Sequence, residues 1–480
     1  MATHFAEPIP ARLLMWQRVR DYAVPPSMIE NAATRRAAGD WAGACAAARI
    51  DVDLDLRAVR ERHGTDLTTR LRADLRRLAP DLLRWNMPRI APDGRLRPGL
   101  TLSLARYGVP GTAAPQLVVR TPPAWADTGQ RMSLALWEES RDGAPEHHPH
   151  PHPDRRFRLD LHRHLWDATR SAELAQRCGA DALYRPADDD PSWPPDHWAD
   201  EAELLLQADG RPRGALTVRL GTRSHFVLEL VAPDDSHAPI LRPVREVLPP
   251  QQIAALPVLP EAAVRTPPDV ELLRAGLVRA ERLHPLVAAA LAAPGVAGPA
   301  SGPVVVPGPG EPADDSAPGP TDHHRVECMG MVHRIALRNG TLMAVDHDPA
   351  QLAREELLMA LGGPGLPCLR AIDTVHRSPE ALPAVRERLG HGDVTGALAV
   401  VEGLLGPGAV LREGPLREAL EAAVSGRLVH GLFRSGLVSV HPAAAATRGT
   451  GYRPRLDRRL PWELRRKRGS RARPRTGLQS

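Results

Sequence analysis

The chain has 480 residues, too long for one core and enough for two or three domains. Its hydrophobic content of 42% is globular, but only 4% is aromatic, which points to several modest cores instead of one large one. Net charge is +5, and 61 of the basic residues are arginine against a single lysine, Lys467. A P-loop, a kinase-type site and a Schiff-base enzyme each need a lysine in a defined setting, and Lys467, inside "RRKRGSRARPR", fits none of them.

The arginine excess has the form of codon bias in a GC-rich bacterial genome, so a single arginine is weak evidence for a phosphate fork. Cys45, Cys178, Cys328 and Cys368 are scattered without a C-x-x-C pair, as expected of reduced cytoplasmic thiols. No apolar run approaches membrane-spanning length, and acidic residues and prolines break the first twenty positions where a signal peptide needs a continuous apolar stretch. The expectation is a soluble, cytoplasmic protein without membrane contact.

Residues 1–98 read as helical. In "PSMIENAATRRAAGDWAGACAAAR", Ser27 and Glu30 have capping-box spacing, Gly39 suits a left-handed helix end, and Asp40 can cap the next helix. "DLTTRLRADLRRLAPDLLRW" repeats leucine at helical spacing until Pro80 interrupts it. A β-rich segment follows over 99–140, where "GLTLSLARY", "QLVVR" and "RMSLALWEE" alternate apolar and polar residues. Residues 141–155 form a His/Pro-rich linker, and 156–293 a mixed domain. The latter is expected to contain a strand at "FRLDLH", a helix over 165–178, and three strands within "ELLLQADGRPRGALTVRLGTRSHFVLELVAP". "DVELLRAGLVRAERLHPLVAAALAA" is helical. Glycine and proline crowd residues 294–322 without an aromatic side chain, which predicts a disordered linker. The last domain, 323–445, is a hairpin turning at Asn339-Gly340 and then helices, before an arginine-rich tail at 446–480. The fold class is therefore multi-domain α+β.

"GDWAGACAA" (39–47) and "GDVTGALAV" (392–400) echo each other, with Gly43 and Gly396 at matching places. They are read as keeping one helical face thin for a close neighbour. The pattern resembles the turn and second helix of a tetratricopeptide-type hairpin, a family of protein-binding repeats; two copies 353 positions apart fall short of the tandem array a solenoid needs.

Six of the twenty histidines lie within "EHHPHPHPDRRFRLDLHRHLWDA". Alternating histidine and proline gives an extended chain that holds metal only loosely. "LDLHRHLWD" is sharper, since a strand ending in His-x-His offers two imidazoles beside Asp160. It resembles the first motif of the PHP phosphoesterases and, more loosely, of the amidohydrolases. The likeness implies that Asp160, His162 and His164 gather at a divalent metal that activates water for hydrolysis. Where that family continues with threonine-aspartate-histidine, this chain reads "RPADDD". Read by pleating alone, His162 faces solvent beside Arg158 and Asp160. In "TDHHRVECMGMVH", Cys328 and His333 differ by an odd number and would point to opposite faces of a continuous strand, which argues against a shared ion. "VDHDP" at 345–349 reads as ordinary helix-start chemistry.

The tail, 446–480, holds twelve basic and two acidic side chains, enough to attract polyanions by counterion release. Its candidate contacts to nucleic acid or an acidic partner are Tyr452, Arg458, Arg459, Trp462, Arg465, Arg466, Lys467 and Arg468. The function expected from all this is a non-enzymatic adaptor within a bacterial multi-protein assembly, with protein partners and no cofactor. The alternatives are the metal-dependent hydrolase and nonspecific nucleic-acid association through the tail.

Overall fold

The computed structural model describes residues 9–111, 114–139, 148, 150–178, 197–221, 225–231, 238–245, 247–292 and 324–438. The expected linker at 294–322 and the tail at 446–480 lie outside them. The chain is a multi-domain α+β protein with several separate sheets. The described residues fall into two compact units, 9–292 with 432–438, and 324–431.

The first unit begins with α1 (Ala11–Tyr22), α2 (Pro26–Ala37), α3 (Trp41–Ala47), β1 (Ile50–Asp53), α4 (Leu56–Arg77) and α5 (Pro80–Asn86). Helix α2 starts a residue before Ser27, with Pro25 at its cap and Pro26 in its first turn, so the capping box does not form. Proline replaces it because a fixed φ and a missing N–H both suit a first helical position. Asp40 caps α3 as expected, accepting from the Gly43 N–H at 2.8 Å, and Gly39 turns the chain at φ 78°. Along α4, Leu67, Leu71 and Leu75 recur at four-residue spacing and are buried. Pro80 then opens α5, whose Arg84 is fully buried and donates to the carbonyls of Ala23, Ala48 and Gln130.

A two-stranded ribbon, β2 (Arg89–Ile90) with β3 (Arg95–Leu96), precedes β4 (Thr101–Arg106), β5 (Gln116–Arg120) and β6 (Met132–Trp137). The main sheet has the order β1-β6-β5-β4, antiparallel except that β1 runs parallel to β6. Period two is clear on β5. Leu117 and Val119 join the large core, while Val118 meets Ala135 and Trp137 on the other face. That large core draws on Val19, Leu102, Trp166, Val287 and Ala290, so segments far apart in the chain share one interior.

Several expected elements differ, beginning with β1, β2 and β3 inside the region read as helical. Residues 157–162 form a turn instead of a strand, and the 165–178 helix reduces to α6 (Glu173–Arg177). "ELLLQA" belongs to α7 (His197–Ala208), where Ala202, Leu205 and Leu206 bury one face. The meander beyond it is β7 (Gly214–Arg219), β8 (His225–Val231) and β9 (Ile240–Pro243). Short helices α8 (Pro250–Ala255), α9 (Glu261–Val264), α10 (Pro268–Arg274) and α11 (Pro285–Leu291) finish the unit, three of them opening with proline.

The second unit holds the antiparallel sheet β10 (His324–Cys328), β11 (Met331–Arg338) and β12 (Thr341–Ala344). Its β11–β12 turn is Asn339-Gly340, both at positive φ. Helices α12 (Pro349–Ala360), α13 (Pro367–Arg377), α14 (Leu382–Gly390), α15 (Val394–Leu405) and α16 (Pro415–Arg434) follow, the last three residues of α16 being counted with the first unit.

The sequence echo is a structural one. Asp393 accepts from the Gly396 N–H at 3.1 Å as Asp40 does from Gly43, and Arg388 and Arg35 grip the two aspartates at 2.9 and 3.0 Å. The glycines serve a different purpose from the one their sequence suggests. A Cβ on Gly43 or Gly396 would fall 1.9 or 2.1 Å from Oδ2 of the capping aspartate, so the missing side chain makes room for the cap and not for another helix.

Candidate functional site

The first unit contains a cavity of about 390 Å³, within the range that takes small ligands. Eight arginines and one acidic residue, Glu261, line it, together with apolar groups such as Met15, Trp16, Phe157 and Leu174. Most of these arginines have a carboxylate behind them. Arg20 is paired with Asp269, Arg156 with Asp154, Arg158 with Asp160 and Asp209, and Arg177 with Glu201.

Arg89 differs. It is 9% exposed and donates to the carbonyls of Arg84 (2.7 Å) and Gly94 (3.5 Å), while its Nε is buried without a hydrogen-bond partner among the described residues. Burial, with Arg20 nearby, pushes its guanidinium down to about 9, so it stays a cation at neutral pH. His164 Nδ1, on the same cavity, likewise has no hydrogen-bond partner among the described residues.

His162 is 1% exposed, which corrects the solvent-facing expectation. The reason is local: Arg158 makes only an isolated bridge to Ser103, and the chain then winds into a 3-10 turn at Arg163–Leu165. His162 Nδ1 meets the Arg158 carbonyl at 3.0 Å, and Trp166 Nε1 donates to the Leu159 carbonyl at 2.9 Å, closing the turn. His162 Nε2 lies 3.1 Å from Glu201 Oε2, whose carboxylate Arg177 also holds. Burial raises the Glu201 carboxyl, but the contacts from His162 and Arg177 outweigh it and leave it at about 2. His164 packs edge-to-face on His162 with ring centroids 5.8 Å apart; its own burial, and then the charges of His162 and Arg177, hold its pKa well below the usual histidine value. Thus the fold brings His162 and His164 together, whereas both Asp160 oxygens are taken by the Arg158 fork at 2.9 Å.

The described part of the His/Pro stretch is docked. His148 is buried against the carbonyls of His150 and Thr121 at 2.9 Å, and Thr101 Oγ1 donates to the His150 carbonyl at 2.7 Å.

In the second unit, donor atoms of Cys328, His347 and Cys368 lie within 4.8 Å of one another, and no other such group of three occurs among the described residues. Both cysteines are fully buried. The His333 ring stacks on His347 at 4.0 Å and 10°, and His347 Nε2 and His333 Nδ1 are both buried without partners among the described residues. Parity along a continuous strand hides this arrangement because the strand is not continuous. Met329 and Gly330 reverse the chain at φ 55° and 76°, pairing Cys328 with Met331 and Val326 with His333. His347 comes from the loop before α12 and Cys368 from the first turn of α13, 40 positions from Cys328, so no short motif links them.

The tail candidates Tyr452, Arg458, Arg459, Trp462, Arg465, Arg466, Lys467 and Arg468 lie outside the described residues. No helix among the described residues is long and apolar enough to cross a membrane. No protein-family model, curated protein or solved structure matches the chain.

Proposed function

We propose that the first unit is a binding module for a small organic anion with an apolar body, received in the arginine-lined cavity with its charged group on Arg89. The observation that supports this most directly is a buried arginine without a carboxylate, its Nε unpaired, on the wall of a ligand-sized space. A buried cation left this way is costly, and an anionic acceptor would complete it. Met15, Trp16, Phe157 and Leu174 supply the apolar wall that prefers an organic body over inorganic phosphate.

The test uses an apolar anion, anilinonaphthalene sulfonate, titrated into the full-length protein with fluorescence detection. One saturable site is expected, weakened roughly 10- to 100-fold in Arg89→Met, the range for losing a charged hydrogen bond. Equal binding by both proteins would overturn the assignment.

A second reading, that the chain is a cytosolic protein-binding adaptor in a multi-protein assembly, draws on the second unit. Met331 and Val332 are each 64% exposed, and Leu357 on α12 and Leu361 just past its end stand out similarly. Exposed apolar groups of this size are frequent at protein contacts. Four cysteines without disulfides agree with a reducing compartment. A partner retained in stoichiometric amount by the native chain and lost from a Met331→Asp, Val332→Asp variant is the expected result; retention by both would remove this reading. A hydrolase centred on Asp160, His162 and His164 is weaker, because Arg158 already occupies the Asp160 carboxylate. Nucleic-acid association rests on the charge of the tail alone.

A further inference from the structure

We propose that Cys328, His347 and Cys368 bind one soft divalent metal ion of the zinc class, leaving a fourth position for water or an external ligand. Two sulfurs and one imidazole nitrogen are a donor set suited to such ions. In a tetrahedral sphere with metal–sulfur bonds near 2.3 Å, donors stand roughly 3.4–3.8 Å apart. The three donors already lie within 4.8 Å of one another, so modest side-chain rotation closes the set.

Independent features point the same way. His347 Nε2 is buried without a partner among the described residues, as an imidazole prepared for a ligand would be. His333, 7% exposed, lies flat on His347 at 4.0 Å; a parallel ring supports its neighbour's orientation but cannot direct a nitrogen at the same ion without leaving the stack. Cys368 is the second residue of the eleven-residue helix α13, where unpaired backbone N–H groups favour a thiolate. Each thiol gives its proton to solvent as its sulfur bonds the metal, and no oxidant or reductant is needed.

The physical consequence would be a cross-link. β10, the loop after β12, and α13 each contribute one donor around a core of seven buried residues among those described. A core this small gains much from a metal staple.

The full-length protein, reduced and stripped with a chelator, is titrated with cobalt(II). One equivalent should produce a thiolate charge-transfer band and tetrahedral d–d bands. Cys328→Ser and Cys368→Ser should each weaken binding beyond the 10- to 100-fold typical of losing a supporting contact, whereas His333→Phe should still bind one equivalent. Should the serine variants not fold, the native zinc-loaded chain provides the check: a mercurial thiol reagent should release one equivalent of zinc to a colorimetric chelator. Cobalt bound without a thiolate band would assign the metal to the histidine-rich stretch and overturn the proposal. So would absence of binding, or loss of two titratable thiols to a Cys328–Cys368 disulfide. Loss of the bands in a folded His333→Phe would overturn the three-ligand assignment.

Discussion

Arg20 and Asp269 stand 249 positions apart in the chain, and their side chains meet as a two-pronged ion pair, Nε to Oδ1 at 2.7 Å and Nη2 to Oδ2 at 3.0 Å. The pair is almost wholly buried, and Trp85 Nε1 donates to the same carboxylate at 3.0 Å. Deleting one member of such a pair strands the other charge. Asp269→Ala is therefore expected to destabilise the first unit by about 3–5 kcal/mol, measured by urea unfolding with tryptophan fluorescence. A loss below about 1 kcal/mol would mean that Arg20 finds water.

Glu201 sets an acid limit. Its folded value of about 2 lies below the ordinary 4.5, so its contribution is complete above pH 4.5 and is lost as pH falls toward 2. The size is on the order of 3 kcal/mol. Unfolding free energies of the native protein and Glu201→Gln should converge across that window as the pH drops; parallel curves would exclude the linkage.

The paired glycine turns make a prediction against helix propensity. Alanine normally favours a helix over glycine, yet Gly396→Ala should cost about 1–2 kcal/mol, because its Cβ would displace the Asp393 cap. Gly43→Ala should cost less, since Asp40 is exposed. Thermal unfolding of the two single variants checks the order.

Arg89 separates stability from recognition. Replacing a buried, carboxylate-free cation with methionine removes a desolvation burden along with two carbonyl contacts, so Arg89→Met should shift the midpoint of thermal unfolding by only a few degrees. The same substitution should abolish most anion binding. A large drop in the midpoint would make Arg89 a structural residue first.

Much of the fold was legible where local rules govern. The period-two strands β4 to β6, the Asn339-Gly340 turn, the Gly39–Asp40 turn and the break at Pro80 are all set within a few residues. Long-range packing decided the rest. "FRLDLH" has strand composition but meets β4 only at Ser103, so side-chain contacts to its own carbonyls prevail. "ELLLQA" has enough leucine for either element, and burial against β7 and β8 selects a helix. The site was less visible. His162 and His164 stood out as a motif, but Glu201 and Arg177, which fix the first of them, come from elements with no motif. His347 and Cys368 were hidden because a tight reversal at Met329-Gly330 and a helix start, not a repeat, bring them to Cys328.

The distance between Arg20 and Asp269 also bears on how the protein is made. At roughly 5–20 residues per second, a ribosome needs about 10–50 s to synthesise the 249 positions between them. For that interval α1 has emerged without the partner that neutralises its buried guanidinium, and Val19 lacks the Val287 and Ala290 side of its core. The nascent N-terminus is thus a natural client for a chaperone until α10 and α11 appear, and a chain stalled before residue 269 should be far more sensitive to protease than one stalled after 292.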